Sequence, residues 1–275
     1  MAANRPLVMG VLNVTPDSFS DGGLYQDVDA AVAHGLRMRD EGADIIDVGG
    51  EATNPWAQGV PASEELARVL TVVERLAAAG VTVSIDTVKA EVARAAVAAG
   101  ARIVNDVAGG RFDPQMVSAI TELTTRGDVT YILGHLRGRS LAEVFADEGL
   151  PAWRDVAADL ATRLAAFPAE VHAHVWIDPG IGFHKGGDPE RGLKRIRHAG
   201  DIAAAVGRPI VIGASRKRFL RRLLEADQPG REHDTLALDV ATVAACLGAV
   251  NAGANVVRVH NVALLRAALA VYTKL

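Results

Sequence analysis

The stretch Val81-Thr-Val-Ser-Ile-Asp-Thr-Val-Lys-Ala-Glu-Val-Ala-Arg-Ala-Ala-Val-Ala-Ala-Gly-Ala-Arg-Ile-Val-Asn-Asp106 reads as one complete structural unit. Val81–Asp86 is a short apolar run rich in β-branched residues, which pack well on a pleated surface. Lys89–Ala99 is built from Ala, Val, Arg and Glu, mostly good helix formers. Gly100 follows, where a helix C-terminus favours a left-handed residue. Arg102–Asp106 is a second apolar run. Strand, helix and strand in this order describe a parallel pair joined by a right-handed crossover. Each of the two strands ends in polar residues, Asp86-Thr87 and Asn105-Asp106.

Working outward, the same unit recurs along the chain. Strands are expected at Leu7–Asn13, Asp44–Gly49, Val81–Asp86, Arg102–Asp106, Val129–His135, Ala173–Asp178, Pro209–Gly213 and Val256–His260. Helical patterns lie between them, as at Ala30–Glu41 and Ser63–Ala79, followed by Gly42 and Gly80. Eight such units in one chain predict an α/β fold, the (β/α)8 TIM barrel, with outer helices and a site at the C-terminal mouth. An open doubly wound sheet usually carries Gly-x-Gly-x-x-Gly after its first strand. Here the first strand runs into Asn13-Val-Thr-Pro-Asp17 instead. No Pro-, Gly- or Ser-rich linker divides the chain, so residues 1–275 are expected to form a single domain. Leu136–Glu170 reads as an elaborated fifth loop and helix.

The chain has 275 residues, is 49% hydrophobic and carries a net charge of −4. That mild acidity gives no reason to expect nucleic acid. No apolar run approaches the ~20 residues that span a bilayer, and Met1–Pro6 lacks a signal-peptide layout. A soluble cytoplasmic protein without membrane contact is expected. Cys246, the only cysteine, reads as a buried core thiol.

The strand ends carry the functional signal. Asn13, Gly49-Gly50-Glu51, Asp86, Asn105, His135, Asp178, Ser215-Arg216-Lys217 and Arg258-Val259-His260 all fall where a barrel gathers its C-terminal ends. One such residue alone reads equally well as a helix cap; Asp86-Thr87 would serve the helix at Lys89–Ala99 in that way. Eight polar strand ends together point to a site, because burying them without partners is costly. His34 and His198 sit on helix patterns and read as ordinary surface or core histidines. Asp86, Asn105 and Asp178 offer acceptors, and Asn105 donors, to a flat amide-rich heterocycle. Arg258, His260 and Lys217 offer positive charge to an anion such as a phosphate. With no His-x-x-x-His and no cysteine pair, zinc is not expected. Asn13 and neighbouring acids suit a magnesium ion held mostly by water and phosphate.

Several motifs together resemble the dihydropteroate synthases. Gly10-Val-Leu-Asn-Val-Thr-Pro-Asp-Ser-Phe-Ser-Asp-Gly-Gly23 is similar to the first signature of that family and Asp47-Val-Gly-Gly-Glu51 to the second. Ser84-Ile-Asp-Thr87, Val104-Asn-Asp106, Asp178-Pro-Gly-Ile-Gly-Phe-His-Lys185, Gly213-Ala-Ser-Arg-Lys217 and Arg258-Val-His260 match later blocks in order. The resemblance implies a homodimeric, Mg²⁺-dependent transferase of folate biosynthesis and a sulfonamide target. It would join para-aminobenzoate to 6-hydroxymethyl-7,8-dihydropterin pyrophosphate, releasing pyrophosphate and 7,8-dihydropteroate through a pterin-methylene cation. Asp86, Asn105, Asp178 and Lys217 would hold the pterin. Asn13, through the metal, Arg258 and His260 would bind the pyrophosphate. Phe19, Thr53, Phe183 and Lys217 would lie near the aminobenzoate. Asp17, Phe19 and Asp21 belong to the loop Thr15–Gly23, which would close over the substrates and exclude water.

The chain departs from the family pattern in the second loop and in the last block. Glu51-Ala-Thr-Asn-Pro-Trp56 stands where Glu-Ser-Thr-Arg-Pro-Gly is common, so Asn54 replaces a loop arginine and Trp56 a glycine. His260-Asn261 stands where His-Asp is common. Arg137, Arg139 and Arg218 are candidate substitutes for the arginine, and solvated loop positions are the alternative. The Asn54 change also keeps open a pterin-binding paralogue with altered activity. A methyltetrahydrofolate:corrinoid methyltransferase would need no pyrophosphate site. Leu238, Val240, Val243, Leu247 and Leu264 would form a dimer face or pack on the barrel.

Overall fold

The computed structural model describes residues 5–15, 24–51, 59–149, 151–183 and 188–275. The first half alternates as β1 (Leu7–Asn13), α1 (Leu24–Asp40), β2 (Ile45–Gly49), α2 (Ala62–Ala78), β3 (Val83–Asp86), α3 (Ala90–Ala98), β4 (Ile103–Asp106) and α4 (Met116–Arg126). The second half continues with β5 (Thr130–Gly134), α5 (Leu141–Ala146), α6 (Trp153–Leu164), β6 (Val175–Asp178), α7 (Pro189–Arg197), α8 (Ala199–Val206) and β7 (Val211–Ile212). It ends with α9 (Arg218–Asp227), α10 (Thr235–Asn251), β8 (Val256–Val259) and α11 (Val262–Tyr272). The strands form one eight-stranded sheet in the order β6-β5-β4-β3-β2-β1-β8-β7, with every pair parallel. An isolated parallel bridge between Ile177 and Ile210 joins the two ends of that order. The chain therefore forms the (β/α)8 TIM barrel that its alternation predicts.

All eight expected strands are present, most of them trimmed by a residue or two. The sixth begins at Val175 rather than Ala173, because Ala169–His174 forms a 3₁₀ turn. The seventh keeps only Val211 and Ile212. Pro209 has no N–H to give a ladder, and the N–H of Ile210 goes to the Asn255 side chain at 2.8 Å. The elaborated fifth segment resolves into α5 and α6, the first capped by Ser140, whose Oγ accepts from Glu143 N–H at 3.3 Å. Asp86 does not cap α3. Thr87 Oγ1 takes the Lys89 N–H at 3.2 Å and Asp113 takes the Ala90 N–H at 2.7 Å.

The period-two pattern of the strands sorts the barrel into layers. Met9, Ile45, Ile103, Ile132, Val211 and Val256 close its N-terminal end as a buried apolar plug. Two residues further along the same segments stand Val11, Asp47, Asn105, Gly134, Gly213 and Arg258. The interior thus turns from apolar to polar toward the mouth. The opposite strand faces, among them Val8, Leu12, Ile46, Val48, Val83, Ile85, Val104 and Leu133, pack on the helices. Burying each such side chain contributes roughly 1.5–3 kcal/mol. This outer layer carries most of the stability, so the inner layer can hold polar groups.

Candidate active site

Arg258, on the inner face of β8, lies across the barrel mouth. Its Nη2 donates to Asp86 Oδ2 at 2.6 Å and its Nε to Asp47 Oδ2 at 2.5 Å. The same Asp47 oxygen accepts from Asn105 Nδ2 at 3.0 Å. One hydrogen-bonded net therefore ties β8, β3, β2 and β4. Asp47 is fully buried, and its Oδ1 has no partner, like the Ser84 hydroxyl on the neighbouring strand. Asp178 ends β6, and its Oδ1 accepts from Gly180 N–H at 2.8 Å. Gly180 has φ +70°, and a Cβ there would collide with the His135 carbonyl. Only glycine closes the turn that aims Asp178.

The buried net shifts its own ionisations. Burial pushes the Asp86 carboxyl up to about 7 against the pull of Arg258, and the neighbouring Asp47 adds to the rise. Burial also raises Asp178, opposed by the Gly180 N–H and by Lys217. Burial lowers the Lys217 ammonium to about 8, with Arg258 adding to the fall and Asp178 and Asp86 resisting it. Burial opposes the Arg258 charge too, but Asp47 and Asp86 outweigh it and hold the guanidinium above its ordinary value. Burial, then Arg216, Arg258 and Lys217, drive His260 down to about 3.

His260 is therefore neutral at pH 7, which corrects the expectation that it brings positive charge. It can still donate. Ser215 Oγ accepts from the His260 backbone N–H at 3.1 Å and lies 2.9 Å from His260 Nδ1. The neutral ring keeps one N–H donor and one acceptor, and Ser215 Oγ can meet Nδ1 in either role. Beside this pair, Lys217 Nζ stands 4.2 Å from the centroid of the Phe183 ring, a cation–π contact.

A cavity of about 330 Å³ collects these groups, with Asn13, Asp86, Phe183, Lys217, Arg258 and His260 in its wall. A second, of about 290 Å³, is lined by Glu65, Thr87, Phe112 and Arg139. The two share Glu51, Asp86 and Val107. Lys89 pairs with both Glu51 and Glu65, bracing the start of the second loop against α2. Among the described residues, no group of three or more His, Cys, Asp and Glu is placed to hold a metal. Asn13, exposed at the end of β1, offers one hard oxygen at the cavity wall. That donor set fits Mg²⁺, which keeps several waters and takes other ligands from phosphate.

Asn13, Asp86, Asn105, Asp178, Phe183, Lys217, Arg258 and His260 thus come together at one mouth. Asp17, Phe19 and Asp21 of the first loop and Thr53, Asn54 and Trp56 of the second lie outside the described residues. His135 does not face the mouth: its ring meets Asp159 on α6 at 3.1 Å, because Gly134 takes the inner position on β5. Of the three candidate arginines, Arg137 pairs with Asp147 at 3.5 Å. Arg218 lies 5.6 Å over the Phe145 ring, and Arg139 lines the second cavity. The sequence reading missed Asp47 as a site residue, although an acid at the centre of the inner-face series Ile45, Asp47, Gly49 carries the signal.

Comparison with known proteins agrees with this geometry. A family model described as "Pterin binding enzyme" matches residues 9–260. A dihydropteroate synthase of Mycobacterium leprae is 48% identical over 262 residues, covering 93% of this chain and 88% of that one. Its counterpart from Bacillus subtilis is 41% identical, covering 94% and 84%. The solved Xanthomonas albilineans dihydropteroate synthase in complex with 7,8-dihydropteroate superposes with a TM-score of 0.82 at 39% identity, covering 100% of this chain and 95% of that one. The Yersinia pestis dihydropteroate synthase with a sulfonamide drug complex does so with a TM-score of 0.81 at 31% identity, covering 100% and 95%.

Proposed function

The chain belongs to the pterin-binding enzyme family, among its dihydropteroate synthases, and we propose how the barrel mouth performs the condensation. The substrates are 6-hydroxymethyl-7,8-dihydropterin pyrophosphate and para-aminobenzoate. The observation that carries the reading is the meeting of acid, amide and cationic groups at one barrel mouth. Asp86, Lys217, Arg258 and the neutral His260 meet in one cavity wall, Asn105 joins them through Asp47 and Arg258, and Asp178 ends the strand beside them.

The carboxylates and Asn105 bind the pterin edge through complementary hydrogen bonds. As the bond from the pterin methylene carbon to the pyrophosphate oxygen breaks, the electron pair leaves with pyrophosphate and positive charge grows on carbon. Asp86 and Asp178 stabilise that charge from fixed positions. Arg258, bonded to Asp86 and Asp47, and the neutral His260 line the cavity wall that receives the departing pyrophosphate. The aminobenzoate nitrogen then forms the new C–N bond and gives up a proton to the released pyrophosphate or to solvent. Phe183 and Lys217 orient that amine for attack. Asn13 would hold Mg²⁺ on the pyrophosphate, where the ion neutralises charge on the leaving group. By the family resemblance, Asp17, Phe19, Asp21, Thr53 and Asn54 would serve the same substrates.

We treat residues 1–275 as one catalytic unit, since β1 and β8 pair side by side. No described helix is long and apolar enough to cross a membrane, and we assign the protein to the cytoplasm. We also assign it a homodimeric state. Leu236 and Val240 on α10 and Leu223 on α9 are exposed, beside an apolar groove of about 720 Å³. Leu238 is buried on the barrel and is excluded from that face. Light scattering tests the assignment.

The deciding experiment supplies Mg²⁺, para-aminobenzoate and the dihydropterin pyrophosphate, and follows pyrophosphate and dihydropteroate together. Matched formation of both is expected. Tight pterin binding with neither product would replace the enzyme by a binding protein.

A further inference from the structure

A polar knot lies at the anion end of the cavity, whose wall Arg216 shares with Ser215 and His260. Arg216, between Ser215 and Lys217, is the one non-glycine residue among those described with positive φ, at +55°. Such a conformation is strained for a residue with a side chain and persists only where its surroundings enforce it. The enforcing groups are on α10. Arg216 Nε and Nη2 donate to Asp239 Oδ1 and Oδ2 at 2.7 and 3.0 Å. The Arg216 backbone N–H donates to Thr242 Oγ1 at 3.1 Å.

Asp239 also reaches the next loop. Its Oδ2 accepts from Asn261 Nδ2 at 3.0 Å. Asn261 directly follows His260, and its own Oδ1 caps α11 by accepting from Leu264 N–H at 3.0 Å. One carboxylate, 4% exposed, therefore holds both segments that carry the Ser215–His260 pair. The helix itself gives Asp239 no reason to be there. Asp234 is the cap of α10, and aspartate is a poor helix-interior residue. The departure to asparagine at position 261 fits as well, since an aspartate there would set a second carboxylate against Asp239.

We propose that Asp239 is a positioning residue for the anion end of the site. Through Arg216 and Asn261 it fixes the spacing of Ser215 and His260, and with it the affinity for pyrophosphate. The proposal rests on the reading of that end as the pyrophosphate site.

The test uses the full chain and inorganic pyrophosphate with Mg²⁺, titrated by calorimetry. Asp239→Asn keeps the side-chain size and removes the charge. Arg216→Gly keeps the left-handed backbone and removes the tether. Each is expected to bind pyrophosphate on the order of tenfold more weakly, as loss of a charge-assisted contact implies. The KM for the dihydropterin pyrophosphate should rise in step. The KM for para-aminobenzoate should change by no more than about twofold, since only pyrophosphate contacts are disturbed. The double variant should bind no worse than either single one, because both cut the same link. Unchanged pyrophosphate affinity, additive losses, or equal losses for both substrates would each overturn the proposal. So would a wild type that binds no pyrophosphate. Whether the protein is a synthase is read separately from wild-type turnover. Pyrophosphate binding without dihydropteroate would remove the reaction and leave Asp239 to be judged by the pyrophosphate affinities of the single and double variants.

Discussion

Arg258 and Asp86 stand 172 positions apart in sequence and 2.6 Å apart at the barrel mouth. With Asp47 they form a buried arrangement of one cation and two carboxylates. Replacing Arg258 by Met would leave both carboxylates without a counter-charge. Breaking a buried pair from one side costs about 3–5 kcal/mol, so a clear fall in Tm is expected. The fall should be larger at pH 8 than at pH 5. At low pH the orphaned Asp86 carboxyl, already raised by burial, can take up a proton, and a group whose folded pKa is raised loses stability as pH rises. Thermal unfolding at the two pH values checks this, and an equal fall at both would count against the pairing.

The ionisations of Asp86 and Lys217 set a pH window for catalysis. Asp86 must be ionised to stabilise positive charge, and its carboxyl sits at about 7. Lys217 must be protonated, and its ammonium sits at about 8. The kcat/KM for the pterin substrate should therefore climb toward pH 7 and decline above pH 8. Below the window the loss approaches about tenfold per pH unit, the limit for a single essential ionisation. Asp86→Asn should lower the rate and flatten the acidic limb. Stability carries the opposite sign for Asp86. The folded protein holds that proton more tightly than the unfolded chain, so its contribution falls between about pH 4 and the folded value.

Gly180 makes a prediction that separates shape from charge. Alanine there meets both a positive φ and the His135 carbonyl, so the turn must open. Strain of this kind costs on the order of 1–3 kcal/mol. Opening the turn also withdraws the N–H that holds Asp178. Gly180→Ala should therefore lower both Tm and pterin affinity, the second measured by calorimetry with the pterin alone. Loss of stability with normal pterin binding would show that Asp178 is aimed by something else.

Much of this was legible in the sequence because the barrel repeats one rule. Apolar runs that alternate with amphipathic segments give parallel strands, and parallel strands in a closed ring bring their ends together. Asp86, Asn105 and Asp178 follow from that rule alone. The same rule failed at His135, because a polar residue one step past the inner position faces a helix. That one-step difference depends on where the strand ends, which periodicity locates only to within a residue or two. Asp47 was passed over because it lies inside a strand rather than at its end. Asp239 was invisible for another reason. A lone acid in a helix signals nothing until α10 is packed behind the turn at Arg216. The charge state of His260 was equally out of reach, since it follows from burial and three neighbouring cations rather than from residue type.

The contact between Phe183 and Lys217 gives the last prediction. The ring supports the ammonium at 4.2 Å and also forms part of the cavity wall. In the proposed reaction it lies against the aminobenzoate ring. Phe183→Leu keeps an apolar wall but removes the ring face, and Phe183→Ala removes both. A cation–π contact in a partly desolvated site contributes about 0.5–2 kcal/mol, or roughly two- to thirtyfold in affinity. The KM for para-aminobenzoate should rise by an amount in that range in Phe183→Leu and further in Phe183→Ala. Pyrophosphate binding should change less than the KM, since the ring acts on the anion end only by supporting Lys217. Sulfonamide inhibition should weaken in parallel, because a sulfonamide presents the same aromatic amine to the same wall. If the inhibition constant stays fixed while the KM rises, the two molecules do not share this contact. The second loop, with Asn54 and Trp56, would then be the place to look for the discrimination.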